Sequence, residues 1–324
     1  MPAGQGPPHV VAGGPAPAVP RGLERGIPGH PRLLKPNGAL PRIPGYEVVR
    51  ELDRGGMGLV VEAKRLSDAR TVAIKVVRPD LPPTKERKSR FKREIRMTRE
   101  LDHPHIIEFI EGDEFSGLLW FAMEYIEDGY DIAKHIKRHR GRIPMQEAVK
   151  LVLQALDALD YAYRDKGVVH RDIKPPNVFL VKREDGYTVK VSDFGLAKSL
   201  ESSGLNGSVF TQPGLCMGTL PYMPPEQVID VRSAKPSADV FSIGATLYQM
   251  LTGRYIRDFR FDHRRHQSEA IRQVVDEPVI PIRSRDRSVP ARLAAIIDKS
   301  LELDPRDRYT DAREFKAALR GAVP

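Results

Sequence analysis

The sequence predicts an α+β chain: a small antiparallel β-sheet lobe with one main helix, followed by a larger, mainly helical lobe. Three observations lead there. Short apolar runs of period two fill 46–77, a charged helical stretch lies behind them, and helical periodicity dominates beyond residue 127. With 324 residues and 40% hydrophobic side chains, the chain can bury a sizeable core.

Residues 1–45 stand apart from this pattern. They hold eleven prolines, nine glycines and one acidic residue with no sustained period, too little apolar surface to offset the entropy of ordering. A disordered tail is expected, able to dock a partner, with the folded domain over 46–320. Strands are expected over 46–52, 59–65 and 71–77, the last alternating Val72, Ile74 and Val76 with Ala73 and Lys75. Gly-rich or polar turns make these an antiparallel meander. A helix over 84–101 stops at His103-Pro104, strands follow over 106–113 and 118–124, and the small lobe closes at residue 126.

In the larger lobe (127–320), Val149, Val152, Leu153, Leu156, Leu159 and Tyr163 lie at helical spacing before Gly167. Apolar runs at 178–181 and 188–191 are joined through Asp185-Gly186, a dipeptide suited to a hairpin turn. Helices are expected over 239–251, 269–275, 290–301 and 312–319.

The net charge of +9 is scattered. Basic clusters at 85–99, 134–142, 254–265 and 283–292 are each interrupted by acids, histidines or apolar residues, so they read as solvated surface and no nucleic-acid partner is expected. No run of about 18 apolar residues occurs and the first 30 residues lack a signal-peptide core, so neither membrane insertion nor secretion is expected. A cytoplasmic setting is the resulting expectation. Cys216 alone provides neither a disulfide framework nor a thiol metal site.

Three motifs carry chemistry. The turn from Leu52 through Asp53, Arg54, Gly55, Gly56, Met57, Gly58 and Leu59 to Val60 is glycine-rich, so its backbone can approach phosphates closely. A plain hairpin would use the same glycines, and it is Lys75, seventeen residues after Gly58, that favours a phosphate site. Lys75 sits on a strand flanked by apolar positions, where an ammonium needs an anionic partner or a route to water. Glu94, on the next helix, can supply that partner while the ammonium reaches nucleotide phosphates. The string His170-Arg171-Asp172-Ile173-Lys174-Pro175-Pro176-Asn177 offers a carboxylate to accept a hydroxyl proton, a lysine to neutralise phosphate and an amide oxygen for a metal. Asp193-Phe194-Gly195 adds a metal-binding carboxylate. Phosphoryl transfer needs this division of labour, because it is catalysed mostly by positioning and charge neutralisation.

With these residues in this order, the sequence resembles the protein kinase family, in particular the eukaryotic-like Ser/Thr kinases of bacteria, from Tyr46 to Arg320. The resemblance implies the bilobal protein kinase-like fold. The stretch from Met217 to Glu226 looks like the end of an activation segment, and Arg308 like the partner of Glu226. By resemblance Asp172 would be the catalytic base, Lys174 the γ-phosphate neutraliser, Asn177 and Asp193 the holders of Mg²⁺ or Mn²⁺, and Lys75, paired with Glu94, the guide of the α- and β-phosphates. ATP would lie under the glycine-rich turn and against Ala73, with adenine on the backbone of Glu124 and Ile126 and Met123 as gatekeeper. Phe194 and His170 would stack between the lobes. Lys174 together with Gly218-Thr219 points to serine and threonine on protein substrates. Arg171 would pair with a phosphorylated activation-segment residue, Thr211 first and Ser208 second, while Thr219 is reserved for the substrate site.

Three positions depart from the family pattern. Asp53 replaces the first glycine and brings a carboxylate to the phosphate entrance, Pro224 replaces alanine before Pro225-Glu226, and Tyr309 stands where proline commonly follows Arg308. A pseudokinase-type binding or scaffold protein is the first rival, opposed by the retention of Lys75, Glu94, Asp172, Asn177 and Asp193 together. A small-molecule phosphotransferase is the second, opposed by the peptide-platform look of 218–226.

Overall fold

The computed structural model describes residues 40–55, 58–77, 84–194, 218–230, 234–259 and 267–322. Strands β1 (Tyr46–Gly55), β2 (Gly58–Arg65), β3 (Thr71–Val77), β4 (Phe109–Phe115) and β5 (Leu118–Glu124) form one antiparallel sheet in the order β1-β2-β3-β5-β4. The period-two pattern sorts the side chains of β3. Val72, Ile74 and Val76 enter a cluster with Tyr46, Leu59, Val61 and Trp120, while Ala73 and Lys75 face a cleft. Pro41 and Ile43, assigned to the tail from sequence, are buried, and Ile43 joins this cluster, so packing begins a few residues before Tyr46.

Helix α1 (Lys85–Arg99) is densely charged and needs help at its start, which Thr84 gives by accepting the Arg87 N–H at 3.3 Å. Its apolar hold on the sheet is narrow: Phe91 and Ile95 pack against Val77, Leu119 and Phe121. The strand expected from residue 106 begins only at Phe109. Residues 105–107 instead pair with the chain at Val191: the Ile107 N–H donates to Val191 O and the Val191 N–H to His105 O, each at 2.9 Å. The apolar pattern is the same in both cases, so sequence could not separate them.

The larger lobe comprises α2 (Ile132–Arg138), α3 (Met145–Arg164), the hairpin β6 (Val178–Arg183) and β7 (Gly186–Val191), α4 (Pro225–Ile229), α5 (Pro236–Thr252), α6 (Gln267–Asp276), α7 (Ile282–Arg285), α8 (Ala291–Ser300) and α9 (Ala312–Arg320). Helices α2, α4 and α7 leave no signal in the sequence because they are too short to establish a period. Arg183 pairs with Gly186, so the hairpin turn is Glu184-Asp185 and not Asp185-Gly186; Gly186, at φ 125°, opens the second strand. On α3, Val149, Val152, Leu156 and Leu159 are buried as expected, but Tyr163 is 40% exposed and Ala155, Ala158 and Ala162 complete the stripe. Small side chains there let α5 and α9 approach α3 closely. Among the described residues no helix is long and apolar enough to cross a membrane.

Candidate active site

A cavity of about 750 Å³ opens between the sheet and the larger lobe. Its roof comes from β1, β2 and β3 through Leu52, Asp53, Gly55, Gly58, Val60, Ala73 and Lys75, and its back from Met123, Glu124 and Ile126. Lys174, Asn177, Asp193 and Thr219 form its floor. Two residues expected to cover the ligand do not face it. Leu59 alternates with Gly58 and Val60, so the pleat sends it into the sheet's apolar cluster, and the Arg54 guanidinium binds the Glu51 carboxylate at 2.9 and 2.6 Å. Gly56, Met57, Ser208 and Thr211 lie outside the described residues.

The floor is built on α5. Asp239, buried in its first turn, accepts the N–H of His170 at 2.7 Å and that of Arg171 at 2.8 Å. Burial pushes the Asp239 carboxyl up and the His170 imidazole down. His170 accordingly donates from Nε2 to Ser192 O at 2.7 Å and accepts the Asp172 N–H on Nδ1 at 3.2 Å. Its ring packs on Phe194 with centroids 4.5 Å apart, the expected stack. Gln227 of α4 adds a bond from Nε2 to Arg171 O at 2.7 Å. These clamps hold Arg171 at φ 66°, and Asp193 sits at φ 61°, left-handed conformations that cost a non-glycine residue of order 1 kcal/mol and that cluster at functional sites. In the sequence Asp239 marks only a helix and Gln227 carries no signal, because neither contact leaves a local pattern.

Asp172, Lys174 and Asn177 meet at one point. Lys174 Nζ lies 3.0 Å from Asp172 Oδ2 and donates to Thr219 Oγ at 2.9 Å. Asn177 Nδ2 donates to Asp172 O at 2.8 Å and to Oδ2 at 3.0 Å, which leaves its amide oxygen as the remaining ligand atom. Opposite, Lys75 Nζ donates to both oxygens of Asp193, each at 2.8 Å. The expected Lys75 to Glu94 pair is not formed. The carboxylate of Glu94 stands 3.8 Å from Arg93 Nη2, because Asp193 already satisfies the lysine and α1 is tied to the sheet by only two apolar side chains.

Below the floor, Arg308 holds Glu226 with a fork at 2.7 and 2.9 Å, the partnership the sequence suggested. Two of the departures are structural. Tyr309 is buried and stacks on Phe315 at 5.2 Å, with Lys299 Nζ 4.5 Å from its ring centre; Pro224 caps α4 in an extended conformation.

The family model for the protein kinase domain matches residues 46–319. The chain belongs to the protein kinase family. This kinase domain is 34% identical over 286 residues to the serine/threonine-protein kinase pkn3 of Myxococcus xanthus, covering 85% of the chain and 49% of that protein. It is 34% identical to the serine/threonine-protein kinase PknB of Mycolicibacterium smegmatis, covering 85% and 42%. The chain thus spans half the length, or less, of these curated relatives. Among solved structures, the kinase domain of Mycobacterium tuberculosis PknI matches with a TM-score of 0.64 and 27% identity, covering 88% of this chain and all of that one.

Proposed function

We propose that this kinase domain transfers the γ-phosphoryl group of ATP to serine or threonine hydroxyls of proteins. The observation that carries the reading is the bridge from Asp172 through Lys174 to Thr219. It joins a base, a cation and the edge of the substrate segment at 3.0 and 2.9 Å, with Lys174 and Thr219 on the floor of the cavity and Asp172 behind them. A short hydroxyl entering beside Thr219 meets the Asp172 carboxylate as proton acceptor, and Lys174 offsets the negative charge of the phosphoryl group as it leaves ATP. Lys75 orients the α- and β-phosphates under the roof. The Glu124 N–H is already spent on Glu108 O at 2.9 Å, so adenine recognition falls to the Glu124 carbonyl and the Ile126 N–H. The oxygen ligands of Asn177 and Asp193, facing one cavity, suit a hard cation such as Mg²⁺, which supplies charge neutralisation on the phosphates when bound. Glu94 keeps its assigned role only if α1 moves toward Lys75. Incubating the chain with γ-labelled ATP, Mg²⁺ and a general protein acceptor tests the proposal: phosphoserine and phosphothreonine are expected, and label found only on small molecules would refute it.

Asp53 bears on affinity. Its Oδ1 accepts the Arg54 N–H at 2.8 Å, which keeps the carboxylate at the rim of the cavity. A unit charge about 10 Å from the phosphates in solvent is worth a few tenths of a kcal/mol, so Asp53→Gly should tighten ATP about twofold at low salt and not at high salt. Calorimetric titration at both salt levels reads this, and weaker binding by the glycine form would contradict it.

Regulation belongs to the same proposal. Arg171 carries a permanent charge beside Asp172, and phosphate on Thr211 would bring it about −1.5 to −2 charges and three acceptor oxygens. Autophosphorylation at Thr211 is expected, with Ser208 second, and Thr211→Ala should turn over several-fold more slowly. Phosphopeptide mapping before and after phosphatase treatment checks it; an active enzyme without phosphate between Ser199 and Thr219 would defeat it.

A further inference from the structure

Away from the cleft, a second cluster of ligating side chains joins α2 to α3. His135, in the middle of α2, and His139, its C-terminal cap, are one helical turn apart, with the His139 N–H on His135 O at 3.0 Å. Glu147, in the first turn of α3, faces them, and its Oε1 lies 2.9 Å from His135 Nε2. One ligand atom from each of the three lies within 4.8 Å of the other two. We propose that His135, His139 and Glu147 form a binding site for a zinc-type divalent cation.

The donor set and its surroundings support this. Two imidazole nitrogens and a carboxylate oxygen are a ligand set for zinc, not for magnesium or calcium, which prefer oxygen alone. Tetrahedral zinc needs ligand atoms about 3.3 Å apart, so the set must close slightly. His135 is buried and fixed, whereas His139 and Glu147 are half-buried, so they can turn inward and leave a fourth position to water.

Behind the site, Tyr130 Oη lies 2.8 Å from His135 Nδ1. Without metal, His135 donates from Nε2 to Glu147 and accepts the Tyr130 hydroxyl proton on Nδ1. When Nε2 binds the cation, the imidazole proton resides on Nδ1 and is donated to Tyr130 Oη, whose hydroxyl turns to suit. The ring stays neutral in both states, and such an outer hydrogen bond orients a metal-binding histidine.

The connection between the two helices is itself held in place. The Ile143 N–H donates to Met250 O at 2.7 Å, and Gly253 approaches Gly141 so closely that a Cβ there would lie 2.6 Å from the Gly141 carbonyl oxygen. Glu147 therefore returns to the same place opposite the histidines. The cation would fasten α2, whose Lys134 reaches the cleft, to the core helix α3.

The test uses the full chain, stripped with chelator and titrated calorimetrically with ZnCl₂ in excess MgCl₂, with Co²⁺ absorption as a second readout. Saturation at micromolar Zn²⁺ and the intense visible bands of four-coordinate Co²⁺ are expected. His139→Ala and Glu147→Gln should each weaken Zn²⁺ at least tenfold, and Tyr130→Phe by up to tenfold. Circular dichroism confirms that each variant is folded, and Glu147→Gln, nearly isosteric, serves if His139→Ala is not. Either of two results would overturn the proposal: no Zn²⁺ binding by the parent chain, or unchanged binding by a folded His139→Ala or Glu147→Gln protein.

Discussion

Asp172→Asn should lower turnover by about 100-fold or more while leaving ATP affinity close to that of the parent, since general base catalysis typically contributes a factor of 10² to 10⁴. The two effects separate for structural reasons. Asp172 is 4% exposed and stands behind the cavity wall formed by Lys174 and Asn177, so ATP does not rest on it. The replacement amide keeps its shape. With its oxygen turned toward Lys174 Nζ and Asn177 Nδ2, both donors now 3.0 Å from Asp172 Oδ2 remain satisfied, and the His170 and Asp239 bonds beneath are untouched. Only the basicity and the charge are lost, and a 100-fold fall corresponds to about 2.7 kcal/mol of transition-state stabilisation. Steady-state transfer of γ-label alongside calorimetric ATP titration measures both quantities. Turnover like that of the parent would remove Asp172 from the chemistry, and a matching collapse of ATP affinity would mean that the site had been distorted.

The residues of this site were legible in the sequence because their constraints are local. The string from His170 to Asn177 crosses one loop, and Asp193-Phe194-Gly195 lies just past the next hairpin, so spacing alone brings the polar groups together. The period-two pattern around Lys75 likewise told which face of β3 it takes, and failed for Leu59 only because a glycine-rich run was read as one surface instead of an alternating one. What stayed hidden depends on partners far along the chain. Asp239 is 69 residues from His170 and Gln227 is 56 from Arg171, and a buried carboxylate or amide that binds backbone groups needs no motif of its own. The exchange of Glu94 for Asp193 at Lys75 was hidden for a different reason. Both carboxylates are available to one ammonium, and the choice depends on how far α1 leans toward the sheet, which a helix anchored through Phe91 and Ile95 does not encode strongly. The histidines of α2 lay inside what read as a basic surface stretch. Their convergence with Glu147 depends on the fold of the loop between the two helices.

Arg308→Met should cost about 3 kcal/mol of stability, a large share of the 5 to 15 kcal/mol typical of a folded domain. The Arg308 side chain is fully buried and all of its nitrogens are engaged. Besides the fork on Glu226, Nε donates to Glu302 O at 2.6 Å, Nη2 to Leu303 O at 2.9 Å and Nη1 to Ser237 O at 3.3 Å, while the guanidinium lies 4.8 Å from the Phe241 ring centre. Methionine fills much of the volume but leaves the carbonyls without donors and Glu226 without its partner. Breaking one side of a buried pair typically costs about 3–5 kcal/mol, and the lower end applies because the Glu226 side chain is 21% exposed and water can reach it. Arg308→Lys should recover little, because a single ammonium cannot reproduce the planar fork. Adding Glu226→Gln to Arg308→Met should restore part of the loss by removing the unpaired charge. Urea denaturation of all four proteins reads these differences as shifts in midpoint at constant slope, and a loss below about 1 kcal/mol for Arg308→Met would contradict the argument. Function should fall with it. Glu226 fastens α4 just beyond Thr219, and Thr219 Oγ is the acceptor that positions Lys174 beside Asp172. Loosening α4 at a temperature where the variant is still folded should therefore reduce transfer more than ATP binding, a split that simple loss of folded protein would not produce.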